Sequence, residues 1–162
     1  MDIYFCGLGK FATTYTMTST DDFVQEWNGI GSKEVIVINA HGNYYYFGDS
    51  GVFVTIETIT NRLNKKNLKV LWLLSCYNGK SSRMQQNVAR AFAKKITGTV
   101  IASDGTVEMK NLQTTTYKSA ENGWYTYRFT NYGSTLSCIK LNKNELSIIE
   151  MLKITGLYSA WH

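Results

Sequence analysis

Residues 34–43 read EVIVINAHGN, and the first half of that stretch decides the fold. Val35-Ile36-Val37-Ile38 is a continuous β-branched run with no polar alternation. A strand with one wet face would alternate; a run apolar on both sides belongs to a strand covered on both faces, as in a parallel sheet flanked by helices. The pattern returns at residues 69–79, KVLWLLSCYNG, and a third inner run follows at Thr99-Val100-Ile101-Ala102-Ser103.

The segments between these runs read as helices. After a loop containing Tyr44-Tyr45-Tyr46-Phe47 and a Gly-Asp-Ser-Gly turn at 48–51, Ile56, Ile59 and Leu63 mark an amphipathic segment. After the polar loop YNGKSSR, Met84, Val88, Phe92 and Ile96 recur every four residues, with Gly98 as a left-handed cap. The result is a βαβαβ progression. Upstream, Ser19 as a hydroxyl cap, Asp21 and Asp22, then Phe23, Val24 and Trp27 predict a short helix over 21–28. From residue 106 the chain becomes Thr- and Tyr-rich: TVEMK, QTTTYKS, WYTYRFT and STLSCIKL predict antiparallel strands or flaps. Asn142-x-x-Glu145 resembles a capping box opening a last helix, with Leu146, Ile149 and Leu152 as its seam and Gly156 at its close. The expected fold is therefore α/β, a mainly parallel central sheet with antiparallel additions and a C-terminal helix, in a single domain spanning 1–162.

Composition narrows the function. With 162 residues and 44% hydrophobic content, the chain has enough apolar surface for one core. The net charge of +5 would suit an acidic partner, but Lys65-Lys66 and Lys94-Lys95 are the only tight basic pairs and read as solvent faces of helices. Solubility explains them, and no nucleic-acid partner is expected. Three cysteines at wide spacing, Cys6, Cys76 and Cys138, fit neither a disulfide framework nor a metal knuckle. With only two histidines, no zinc ligand set is expected either. No run reaches the length of a membrane span, and an acidic second residue makes a poor signal peptide. A reducing, cytoplasmic setting is the expectation.

His41 and Cys76 each close an apolar strand, where open α/β sheets collect their chemistry. If the two strands are parallel neighbours, imidazole and thiol share one rim. The histidine can then take the thiol proton and return it to a leaving amine. Gly42 lets its backbone N–H approach a substrate carbonyl, and with the amide of Cys76 it would form an oxyanion site, worth roughly 3–4 kcal/mol in other hydrolases. Each residue alone also has an ordinary use, a satisfied polar group or a buried thiol. Cys6 and Cys138, with no histidine in a readable pairing, read as core. His162, the last residue, is a poor base.

The order of these features resembles the caspase-fold superfamily of cysteine peptidases, clan CD. It is most similar to the small peptidase-like domains of bacterial toxins and effectors. NAHGN (39–43), LLSCYNG (73–79), VARAFAKKITG (88–98), TVIASDG (99–105) and Gly123-Trp124-Tyr125 carry the likeness, which covers about residues 33–130. Ser75 stands where caspases commonly have alanine, no QAC triplet is present, and no site for cutting the chain into two subunits is visible. The resemblance implies a three-layer sandwich and a cysteine endopeptidase working through a thioester. In it His41 is the general base, Cys76 the nucleophile, and the amides of Gly42 and Cys76 the oxyanion donors. It also implies a protein or peptide substrate, leaves room for a regulatory protein partner, and suits an effector delivered into a target cell. Some toxin relatives are switched on by inositol hexakisphosphate; the lysines do not cluster in the sequence, and no cofactor is expected. The alternatives are an inactive adaptor of the same fold and a basic binding module.

Asp104, with Ser103, ends the third inner strand on the same rim. In that superfamily this position helps form the pocket for the side chain before the cut, where a carboxylate would favour Lys or Arg. Ser103-Asp104-Gly105 is equally an Asx-type turn. Tyr44, with Tyr45 and Tyr46, reads either as a cleft wall or as an ordinary hydrophobic flap.

Overall fold

A computed structural model describes residues 2–7, 10–79, 86–108, 117–118, 123–130 and 135–157. Met84 and His162 lie outside the described residues, as does most of the QTTTYKS segment. In chain order the elements are β1 (Asp2–Gly7), β2 (Lys10–Thr16), α1 (Thr20–Gly29), β3 (Lys33–Asn39), β4 (Tyr46–Phe47), β5 (Val54–Thr55) and α2 (Ile56–Arg62). There follow β6 (Leu68–Leu74), α3 (Val88–Ala93), β7 (Thr99–Ser103), β8 (Tyr117–Lys118), β9 (Trp124–Thr130), β10 (Thr135–Lys140), β11 (Glu145–Leu146) and α4 (Ile148–Ile154).

The three apolar runs are the three middle strands of a seven-stranded sheet ordered β10-β9-β7-β6-β3-β1-β2. β3 and β6 pair in parallel, as do β6 and β7. Antiparallel strands flank them, β1 beside β3 and β9 beside β7. The sheet is thus mixed rather than mainly parallel. Alternate side chains explain the unbroken runs. Ile36, Ile38, Leu71, Leu73, Val100 and Ala102 pack with residues of α1, α2 and α3, among them Trp27, Ile59 and Phe92. Val35, Val37, Val70, Trp72, Leu74 and Ile101 pack on the other side with Met151 and Leu152 of α4.

Local chemistry sets the element ends. Ser19 caps α1, its hydroxyl accepting from Asp22 N–H at 3.0 Å. The last helix starts later than its sequence suggests. Ser147-x-x-Glu150 is the working capping box, with Glu150 N–H donating to the Ser147 hydroxyl at 3.0 Å, while Glu145 belongs to β11. That shift of frame buries Met151 and exposes Ile149. Gly156 does close the helix, at φ +77°. Gly98 is not a left-handed cap, because α3 ends at Ala93 and Ile96 leaves the helix to bridge Lys66. Glycine is required at 98 for another reason: a Cβ there would fall 1.9 Å from the Lys69 carbonyl oxygen of β6. Lys66 is buried instead of lying on a helix face, its ammonium 5.2 Å from the Trp27 ring and donating to the Ile30 carbonyl at 2.5 Å. Burial, helped by the charge of Lys33, lowers its pKa. Cys138 is exposed rather than in the core, since β10 is an edge strand. The side chain of Cys6 lies outside the described features.

Candidate active site

The register of the middle strands brings the loops that carry His41 and Cys76 to the same end of the sheet. The last rung between β3 and β6 is Asn39↔Leu74, and Ala40 N–H donates to Leu74 O at 3.3 Å just beyond it. His41 and Cys76 each stand two residues past that rung. The pleat carries Val35 and Val37, and Val70, Trp72 and Leu74, to the α4 side of the sheet. The loops touch at their next residues: a Cβ on Gly42 would meet Asn78 Nδ2 at 2.8 Å, Ser75 Cβ at 3.1 Å and Tyr46 O at 3.1 Å. Glycine at 42 therefore lets the His41 loop lie against the Cys76 turn.

Past Cys76 the backbone reverses through Tyr77 at φ +57°, the one non-glycine residue with positive φ among the described residues. For an L-residue with a bulky side chain that conformation costs roughly 1–2 kcal/mol, so it persists only where neighbours enforce it. Several do. Tyr77 N–H donates to Gly105 O at 2.8 Å, Gly79 N–H to Ser103 O at 2.9 Å, and the buried Tyr127 hydroxyl to Gly79 O at 2.5 Å. The sulfur of Cys76 is half-buried. It accepts from Val107 N–H at 3.3 Å, and the thiol donates to Val107 O at 3.6 Å.

The His41 side chain is 71% exposed. Its Nε2 lies 3.9 Å from Asp49 Oδ1, and that same oxygen accepts the His41 backbone N–H at 3.0 Å. Among the described residues no hydrogen bond joins the imidazole to the Cys76 sulfur. The His41 loop pairs with residues 46–48 through Asn43 N–H to Tyr46 O (3.0 Å) and Gly48 N–H to His41 O (2.9 Å). This pattern leaves out the N–H of Gly42. Among the described residues neither Gly42 N–H nor Cys76 N–H makes a hydrogen bond.

The end of β7 completes the rim. Ser103 Oγ accepts from Gly105 N–H and donates to Gly105 O, both at 3.0 Å, so the serine hydroxyl closes this turn in the role expected of an aspartate. Asp104 is buried, and its N–H donates to Gly123 O at 3.0 Å. Burial raises the pKa of Tyr125, and the charge of Asp104 raises it further. Tyr44 and Tyr45 are 43% and 42% exposed and stack in series with Tyr46 and Phe53, ring centroids 4.5–5.1 Å apart.

At the opposite ends of β6 and β7, Lys65, Lys94 and Lys95 line one hollow of about 730 Å³ with Phe129. The two basic pairs thus meet in space, which their separation along the chain conceals. Among the described residues no group of three or more His, Cys, Asp or Glu could hold a metal ion, and no helix is long and apolar enough to cross a membrane. Asp49, Asn78, Val107 and Tyr127 are additions that the sequence did not single out. Asp49, within the Gly-Asp-Ser-Gly turn, and Asn78, within Tyr-Asn-Gly, carried a local turn signal; Val107 and Tyr127 carried none. The chain matches no known protein family, curated protein or solved structure.

Proposed function

We propose that the chain is a cysteine endopeptidase of the caspase-like kind, acting as an effector or processing protease on protein or peptide substrates. His41 takes the proton of Cys76, and the sulfur attacks the scissile carbonyl carbon, forming the S–C bond. The resulting oxyanion accepts the N–H groups of Gly42 and Cys76. Collapse breaks the C–N bond, and the amine departs with the proton held on His41. A water deprotonated by His41 then hydrolyses the thioester and restores the thiol.

The observation carrying this proposal is the shared rung Asn39↔Leu74 of two adjoining parallel strands, two residues beyond which the chain reaches His41 on one side and Cys76 on the other. The Gly42 and Cys76 amides, which make no hydrogen bond among the described residues, are available as the donors an oxyanion requires. The resting contacts favour a second function, an adaptor of the same fold without chemistry: the sulfur rests against Val107 and the imidazole beside Asp49. Incubation with a peptide library, with Cys76→Ala and His41→Ala as controls, separates the two. New termini produced by the wild type alone are expected; no new termini from the wild type would favour the adaptor, and identical products from all three proteins would refute a peptidase built on His41 and Cys76.

A further inference from the structure

We infer that Asn78 is a positioning residue whose buried carboxamide holds the His41 loop in register with the Cys76 turn. This role rests on the peptidase function proposed above. Asn78 is fully buried, and its Nδ2 donates to Asn43 O at 2.6 Å and to Tyr46 O at 3.1 Å, with Cys76 O at 3.5 Å. Asn43 and Tyr46 form the two sides of the turn that follows His41. Cys76 lies two residues before Asn78 itself. One amide group therefore spans both halves of the site.

The arrangement is specific to a donor. Asn78 Oδ1 is buried with no hydrogen-bond partner among the described residues, an arrangement that typically costs about 1–3 kcal/mol. An apolar side chain at 78 would avoid that cost but would leave the carbonyls of Asn43 and Tyr46 without the Nδ2 donor. Gly42 fits the same design, because any Cβ there would push against Asn78 Nδ2. The backbone of Asn78 is fixed as well, its carbonyl accepting from Ala89 N–H at 3.1 Å, so the side chain has a firm base from which to hold the neighbouring loop.

A double-mutant cycle on thiol reactivity tests this role, using the full chain and iodoacetamide at pH 7 with the exposed Cys138 as internal reference. Asn78→Leu keeps the approximate size and removes the donors without adding a charge. With His41 present, it is expected to slow Cys76 alkylation about tenfold; in the His41→Ala background it should change the rate less than about twofold. Equal slowing in both backgrounds would mean that Asn78 only supports the fold of the turn, which overturns the inference while leaving the dyad intact. If His41→Ala alone leaves Cys76 alkylation unchanged, the dyad falls and the positioning role with it. Near-ultraviolet circular dichroism checks folding. Should Asn78→Leu not fold, Asn78→Ala carries the same comparison.

Discussion

Tyr127→Phe tests how the Cys76 turn is anchored. The Tyr127 hydroxyl is buried, donates to Gly79 O at 2.5 Å and faces Asn87 Nδ2 at 3.4 Å. Removing it strands the Gly79 carbonyl, and leaving such a group unsatisfied costs about 1–3 kcal/mol. That is the loss expected at pH 7. Burial, aided by the charge of Cys138 across the β9–β10 ladder, holds the phenol far above its ordinary pKa of 10.0. Above pH 10, therefore, the unfolded chain loses a proton that the folded chain keeps. Folded wild type binds more protons than the unfolded state there, so its stability falls as pH rises, by up to about 1.4 kcal/mol per pH unit. Below pH 10 this contribution is constant. Phenylalanine has no proton to lose, so the variant lacks that part of the slope. Urea unfolding followed by circular dichroism at pH 7, 9, 10, 10.5 and 11 should show a gap that is constant to about pH 10 and then narrows by about 1 kcal/mol by pH 11. Other tyrosines and lysines titrate in both proteins and cancel in the difference. Parallel stability curves across the whole range would refute the claim that folding holds the Tyr127 proton.

Four further outcomes are expected. Iodoacetamide should label Cys76 faster than Cys138 although Cys138 is the more exposed thiol, and peptide mapping that finds Cys138 labelled first would count against an activated Cys76. Gly98→Ala should destabilise by at least about 1–3 kcal/mol in urea melts, since its methyl meets backbone at 1.9 Å, whereas Gly29→Ala, open at the end of α1, should change stability by less than about 1 kcal/mol. Ser147→Ala should cost about 1 kcal/mol by loss of the α4 cap, and Asn142→Ala almost nothing, with thermal melts reading the difference. If Asp104 reads a basic side chain, Asp104→Asn should lower kcat/KM at least about tenfold for Lys and Arg substrates while sparing others; an unchanged preference would leave Asp104 a turn residue.

The middle of the sheet was legible because burial on both faces leaves an unmistakable mark: Val35–Ile38, Val70–Leu74 and Val100–Ala102 carry no polar residue to mislead. The added strands were harder. β1 carries a short run of its own, Ile3-Tyr4-Phe5-Cys6, but β2 carries none, and β1 joins β3 only through a pairing of distant residues that no local pattern reports. The last helix was misframed because Asn142-x-x-Glu145 and Ser147-x-x-Glu150 both satisfy the capping pattern, and tertiary burial of Met151 and Leu152 chose between them. Gly98 illustrates a related ambiguity: a glycine two residues after the apolar Ile96 reads as a cap, yet its neighbour is Lys69 in a strand far earlier in the chain. At the candidate site, His41, Cys76 and Gly42 follow from strand ends. Asn78, Val107 and Tyr127 depend on which loops the fold brings together.

The resting geometry of Cys76 bears directly on whether these parts can act together. Its two contacts with Val107 involve sulfur, a weak donor and weak acceptor. Exchange between side-chain rotamers takes picoseconds to nanoseconds at exposed positions, far faster than a typical turnover, so leaving Val107 need not limit the rate even if partial burial slows it considerably. What a rotation cannot correct is the position of the Cys76 Cα relative to the His41 loop. That position is where the structure concentrates its restraints: the strained Tyr77, the hydrogen bonds to Gly105 and Ser103, the Tyr127 hydroxyl on Gly79 and the Asn78 amide across to Asn43 and Tyr46. The backbone beneath the thiol is fixed while the thiol itself is loosely held. Under the proposed mechanism, that combination would let the Cys76 thiol swing toward His41 without disturbing the backbone of its own turn.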